Sequence, residues 1–197
     1  MAARWLAALP SGRRARLERL RDPADCAASL AGLALLRAAA HAAGLASPVL
    51  AQLEFPEGGK PRWPGGPDFS VSHGGGHVAC ALILPTGRVG VDLERGEAAA
   101  WPELRLVLAP GERVGASAEE ATAAWVGKEA VLKAAGATLA EIAGVAISGA
   151  TAEFDGRPWR LSRPVLVPGI ACAVASDAAA VVEVVAEDAA QLLARGP

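Results

Sequence analysis

Apolar residues recur at helical spacing over 25–43, with leucines at 30, 33, 35 and 36, an aspartate at the start and Gly44 as a stop. This pattern predicts a helix. Its alanine content, with Arg37 and His41 inside the stretch, marks a core helix and not a membrane span. A Gly- and Pro-rich loop follows over 55–67 and contains Gly58-Gly59-Lys60-Pro61-Arg62-Trp63. Short apolar runs then replace the helical period. Residues 69–72 read as a strand and Gly74-Gly75-Gly76 as a turn, while 77–84 and 88–93, on either side of Pro85-Thr86-Gly87, read as a strand pair. A second helix starts at Ser117, where Glu120 completes a capping box, and ends at Gly136. Strands are predicted at 145–148, 151–154, 159–162, 170–175 and 181–185, with Asp155-Gly156 as a hairpin turn and a short helix over 188–194.

Residues 76–82 echo 169–174, which suggests two similar α+β halves. A length of 197 residues suits one compact domain or two small halves sharing a core, and 52% apolar residues allow a core without staples. The net charge of −2 argues against general nucleic-acid binding. Cys26, Cys80 and Cys172 are odd in number and far apart, so free thiols in a reducing cytosol are expected, with no zinc site or disulfide framework. The apolar stretch 5–9 runs straight into Arg13, Arg14 and Arg16, too short and wrongly ordered for a signal peptide. Against 16 arginines the chain keeps three lysines, Lys60, Lys128 and Lys133, which hints at sites wanting a compact ammonium.

Three constellations carry candidate chemistry. In Gly90-Val91-Asp92-Leu93-Glu94, strand alternation puts Asp92 and Glu94 on one face. Such a pair suits either surface charge at a strand end or hard oxygen ligands for magnesium. In Trp125-Val126-Gly127-Lys128-Glu129-Ala130-Val131-Leu132-Lys133, helical spacing lines up Trp125, Glu129 and Lys133. Glu129 and Lys133 are then either an exposed ion pair, worth about 0.2–0.5 kcal/mol, or a metal ligand and a phosphate-neutralising cation. In Phe69-Ser70-Val71-Ser72-His73, the adjacent Ser72 and His73 point to opposite faces and are poorly placed as nucleophile and base. A histidine among glycines and backbone amides suits phosphate holding, or a plain loop position.

In this order, with Gly59-Lys60-Pro61 ahead of them, these motifs resemble the 4′-phosphopantetheinyl transferase superfamily, in its larger monomeric branch. The likeness covers about residues 25–174. It implies an α+β pseudo-dimer, each half a helix on a small antiparallel sheet, with the active site in the cleft between halves 1–96 and 97–197. It implies transfer of the 4′-phosphopantetheine group of coenzyme A to a serine of an apo acyl or peptidyl carrier protein, by a cytoplasmic monomer. Asp92, Glu94 and Glu129 would hold Mg2+ on the pyrophosphate, Lys133 would contact the pyrophosphate, and Ser72 and His73 would lie at the nucleotide phosphates. Lys60 and Pro61 would border the nucleotide, and Glu112 would act as general base.

The family's basic positions in the first helix correspond here to Cys26 and Ala28, both uncharged, so weaker coenzyme A binding than in a typical member is expected. Arg13, Arg14, Arg19 and Arg21 are candidates to compensate. Two rivals stand beside the transferase: a non-catalytic relative that binds carrier protein or coenzyme A, and a magnesium-dependent enzyme that cleaves another phosphoanhydride.

Overall fold

The computed structural model describes residues 1–96, 107–110, 112 and 117–197. The fold is mixed α+β. Helices α1 (Ala2–Ala7) and α2 (Ser11–Glu18) precede α3 (Pro23–Ala42). Strands β1 (Phe69–Gly74) and β2 (His77–Leu82) form a two-stranded antiparallel sheet against which α3 packs. Strand β3 (Val89–Arg95) is the edge of a five-stranded antiparallel sheet in the order β3-β7-β6-β5-β4. Its other members are β4 (Ala146–Ser148), β5 (Thr151–Phe154), β6 (Arg157–Ser162) and β7 (Ile170–Ser176). Helix α4 (Ala118–Ala135) packs on β3 and β7, and α5 (Ala189–Arg195) returns to α3.

Local chemistry explains most boundaries. The Asp22 carboxylate caps α3 at the Ala24 amide with Pro23 at the first helical position, two residues ahead of the expected start. Ser117 and Glu120 complete the expected capping box on α4, and Gly136 closes it at φ +75°. Asp155 and Gly156 both take positive φ and turn β5 into β6, as the Asp-Gly pair predicts.

Two strand expectations are corrected. Runs 77–84 and 88–93 are not a hydrogen-bonded pair: β2 pairs with β1 through a turn in which Gly75 and Gly76 have positive φ, and β3 pairs with β7. Residues 181–185 form no strand and are exposed, Val181 at 96%. Strand β7 already pairs with β3 on one side and β6 on the other, so the segment after it cannot fold back to pair with β7.

Three apolar clusters hold these layers. Helix α4 and the larger sheet enclose Val126, Val131, Phe154 and Trp159. Trp5, Leu9 and Leu17 from α1, α2 and the link between them join Leu30, Leu36 and Phe69 around α3, with Leu192 of α5 closing the group. Between the sheets, Val91 and Leu93 of β3 and Cys172 of β7 meet Ala79 and Ala81 of β2. The apolar side of β3 thus faces β2, and its other side faces α4.

Candidate active site

That other side of β3 carries Gly90, Asp92 and Glu94. The glycine is required by proximity: a Cβ there would lie 2.0 Å from the Ala130 carbonyl oxygen and 2.5 Å from the Ala134 amide nitrogen. Strand and helix backbones therefore touch at Gly90, which brings Asp92 beside the last turn of α4. Gly74 does the same at the end of β1, where a Cβ would meet the Leu93 carbonyl oxygen at 2.5 Å and Glu94 Oε2 at 2.8 Å.

Three elements converge there. Ser72 and His73 of β1, Asp92, Leu93 and Glu94 of β3, and Trp125, Glu129 and Lys133 of α4 line one cavity of about 260 Å³, with Val71. Asp92 is buried, and its Oδ1 accepts from the Ser72 hydroxyl at 2.7 Å and from Lys133 Nζ at 2.6 Å. Lys133 also donates to Ser72 Oγ at 2.9 Å and lies 3.7 Å from Glu129 Oε2. Ser72 thus acts as a hydrogen-bond partner of the carboxylate, while the exposed His73 sits on the rim. Burial first, then Asp92 and more weakly Glu94, push the Glu129 carboxyl above its ordinary range against the opposing pull of Lys133.

These carboxylates are hard oxygen donors of the kind a divalent cation takes, and they line one cavity from two sides, Asp92 and Glu94 from β3 and Glu129 from α4. They are not gathered into a coordination shell. Among the described residues no three Asp, Glu, His or Cys groups converge closely enough to hold a metal ion. The ammonium of Lys133 is what Asp92 contacts.

Lys60 and Pro61 lie elsewhere, on a second cavity of about 320 Å³ that shares Val71, Glu129 and Lys133 with the first. The Lys60 ammonium turns inward, 2.5 Å from Asp68 Oδ2 and 2.7 Å from the Val89 carbonyl. It ties the glycine loop to the starts of β1 and β3, and burial, the largest influence, pulls its pKa down. Ser70, buried on β1, lines this cavity with an Oγ that has no hydrogen-bond partner among the described residues.

Glu112 lines neither cavity. Its Oε2 accepts from the Ala109 amide at 2.9 Å and the Lys128 ammonium at 2.6 Å, and its Oε1 accepts from the Ile147 amide at 3.2 Å. Lys128 is fully buried and also donates to the Val145 carbonyl. To reach a substrate, Glu112 must leave all of these partners. The sequence signals this pair only through a lysine retained against the arginine bias.

Cys26, in the first turn of α3, packs into the apolar cluster around that helix. The Arg13 guanidinium stands 5.0 Å from the Phe55 ring centroid. Burial, then Arg16, lowers the Arg13 pKa.

No protein-family model matches the chain, and no curated protein matches its sequence.

Proposed function

We propose that the chain transfers the 4′-phosphopantetheine group of coenzyme A to a serine of an apo acyl or peptidyl carrier protein. The observation that carries this reading is the meeting of Ser72-His73, Asp92-Glu94 and Glu129-Lys133, three motifs far apart in sequence, on one cavity. On this reading the halves 1–96 and 97–197 form a pseudo-dimer, the cavity is its cleft, and the protein acts as a cytoplasmic monomer. Among the described residues no helix is long and apolar enough to cross a membrane.

The carrier serine oxygen bonds to the β-phosphorus as the bond to the bridging oxygen breaks, and adenosine 3′,5′-bisphosphate leaves. Negative charge grows on the phosphoryl and leaving oxygens, where the Lys133 ammonium meets it. Mg2+ held by Asp92, Glu94 and Glu129 would neutralise pyrophosphate charge. Lys60 and Pro61 border the nucleotide through the second cavity, and Ser72 and His73 face the phosphates from β1. Glu112 would take the serine proton only by breaking its Lys128 pair; bound as it is, its part is to tie Ala109 to α4 and β4.

One observation favours the non-catalytic alternative: Cys26 is committed to an apolar cluster and offers no cation for a nucleotide phosphate. Intact mass of several apo carrier proteins, incubated with coenzyme A, Mg2+ and this protein, separates the readings. A gain of one phosphopantetheine, abolished by Glu129→Ala, is expected. Bound coenzyme A without transfer to any carrier would leave the binding protein, and hydrolysis of coenzyme A without a carrier would point to a phosphoanhydride hydrolase.

A further inference from the structure

Between β7 and α5 the chain runs through Ala180-Val181-Val182-Glu183-Val184-Val185-Ala186, a stretch that reads the same in both directions. Residues 179–187 are all exposed, and among the described residues none of their backbone groups gives or accepts a hydrogen bond. The segment is held at both ends. The Asp177 carboxylate accepts from the Arg88 amide at 2.7 Å, and the Trp5 indole donates to the Leu193 carbonyl at 2.9 Å, next to the buried Leu192. Val182 and Val184, at 38% and 51%, are less exposed than Val181 and Val185, at 96% and 63%. That alternation is the one a strand makes, and it puts Glu183 on the outer side. No residue over 179–187 takes positive φ and valines dominate the centre, so nothing local resists an extended form.

We infer that 180–186 is a docking strand for a second copy of itself, paired antiparallel about a twofold axis at Glu183. This register sets Val181 against Val185, Val182 against Val184 and Ala180 against Ala186 of the second copy, so apolar meets apolar everywhere but the centre. The pairing also satisfies backbone groups that have no partner within the chain. At the centre Glu183 faces Glu183 of the second copy, and like charges directly opposite repel. The other acidic groups nearby do not share that position: Glu187 and Asp188 come opposite Ala179 and Ala178, and Asp177 is held by the Arg88 amide. Glu183 is thus a guard on a bare edge and keeps the chain monomeric when dilute. The tethered ends leave less freedom to lose on docking. Seven residues still bury less than the roughly 1,200 Å² at which stable interfaces begin, so the dimer is weak. No residue of the segment lines either cavity, so each copy keeps a whole candidate site and the inference stands apart from the transferase reading.

Sedimentation velocity of the full chain, from micromolar to millimolar, reads the contact, and circular dichroism reports folding. Wild type is expected to associate reversibly only at the upper end. Glu183→Gln, which removes the facing charges, is expected to tighten the dimer about fivefold, the upper range for one cross-strand pair. Val182→Lys with Val184→Lys sets ammonium against ammonium on an exposed segment, and is expected to abolish association with the fold intact. The register has its own test. An equal mixture of wild type and Glu183→Lys brings opposite charges together at the axis, and is expected to associate more tightly than either protein alone. A folded glutamine variant that stays monomeric at every concentration overturns the inference. So does association that survives the paired lysines, which puts the contact on another surface. A mixture no tighter than its parts excludes the twofold register and overturns it too. If the paired lysines unfold the chain, the glutamine and mixing experiments still decide.

Discussion

Lys128 and Glu112 form an ion pair inside the protein, with side chains 0% and 7% exposed and nitrogen and oxygen 2.6 Å apart. The pair links α4 to Glu112, and its remaining hydrogen bonds reach the Ala109 amide and the two residues that flank the start of β4, Val145 and Ile147. Every group in it has a partner, and removal of one member strands a buried charge. Lys128→Met and Glu112→Ala should each cost about 3–5 kcal/mol by urea denaturation. The double replacement Lys128→Met with Glu112→Ala should cost less than the sum of the two single changes. Glu112→Gln also tests the base assignment. Transfer activity retained at above about one tenth of wild type in a folded glutamine variant points to positioning, since general-base catalysis contributes about 10²–10⁴-fold.

Glu129 has its pKa raised by burial and by its carboxylate neighbours. The folded protein then binds more protons than the unfolded chain between the ordinary glutamate value and the raised one. Stability from this group is present below the unfolded pKa and is lost as pH rises through the folded one. Glu129→Gln should raise Tm at pH 7 and above, by about 2–4 °C for each kcal/mol of repulsion relieved. The gap from wild type should close as the buffer falls below the ordinary glutamate range. A thermal series in metal-free buffer checks this, and a gap that widens in acid contradicts it.

Gly90 leaves no space for a side chain between β3 and α4. Gly90→Ala should destabilise by about 1–3 kcal/mol or more, because both clashing atoms belong to backbones. The strand must back away from the helix, so the Asp92–Lys133 contact should weaken with stability. Unchanged stability would falsify the close-contact account.

Burial pushes the Cys80 thiol up to about 12 and, with Asp92 as the lesser cause, the Cys172 thiol to about 11. Their thiolate fractions at pH 8 are then about 10⁻⁴ and 10⁻³. An aromatic disulfide reagent should label neither at an appreciable rate in the native state and all three cysteines after denaturation. Prompt labelling at Cys80 in the folded protein would show that β2 is open to solvent.

Features written in a few adjacent residues were legible from the sequence. The Ser117-Glu120 cap, the Gly136 stop and the Asp155-Gly156 turn each depend on neighbours within four positions. Alternation along β3 likewise assigned Val91 and Leu93 to one face and Asp92 and Glu94 to the other. Partner choice was not legible, because it depends on distant edges: β2 turns back on β1, β3 joins β7, and 181–185 finds no neighbour despite its valines. Helices α1 and α2 were missed, being short, with one buried side chain each, Trp5 and Leu17, and no strong stripe. In the site, spacing pointed to Trp125, Glu129 and Lys133 on one wall. It gave no sign that Lys60 would turn to Asp68 or that Glu112 would be shut in with Lys128.

The pairing of β3 with β7 sets an order on synthesis. Asp92 leaves the ribosome about eighty residues before Ala173, its partner across the ladder. Until 170–176 emerge, the strand bearing two of the three cavity carboxylates has no hydrogen-bonded neighbour in its own sheet. A nascent chain halted after α4 holds every proposed ligand, yet has no ladder to hold Asp92 against Lys133. The two-stranded sheet takes none of its ladder hydrogen bonds from that later segment and can pair first, which leaves the candidate site among the last parts of the molecule to take shape.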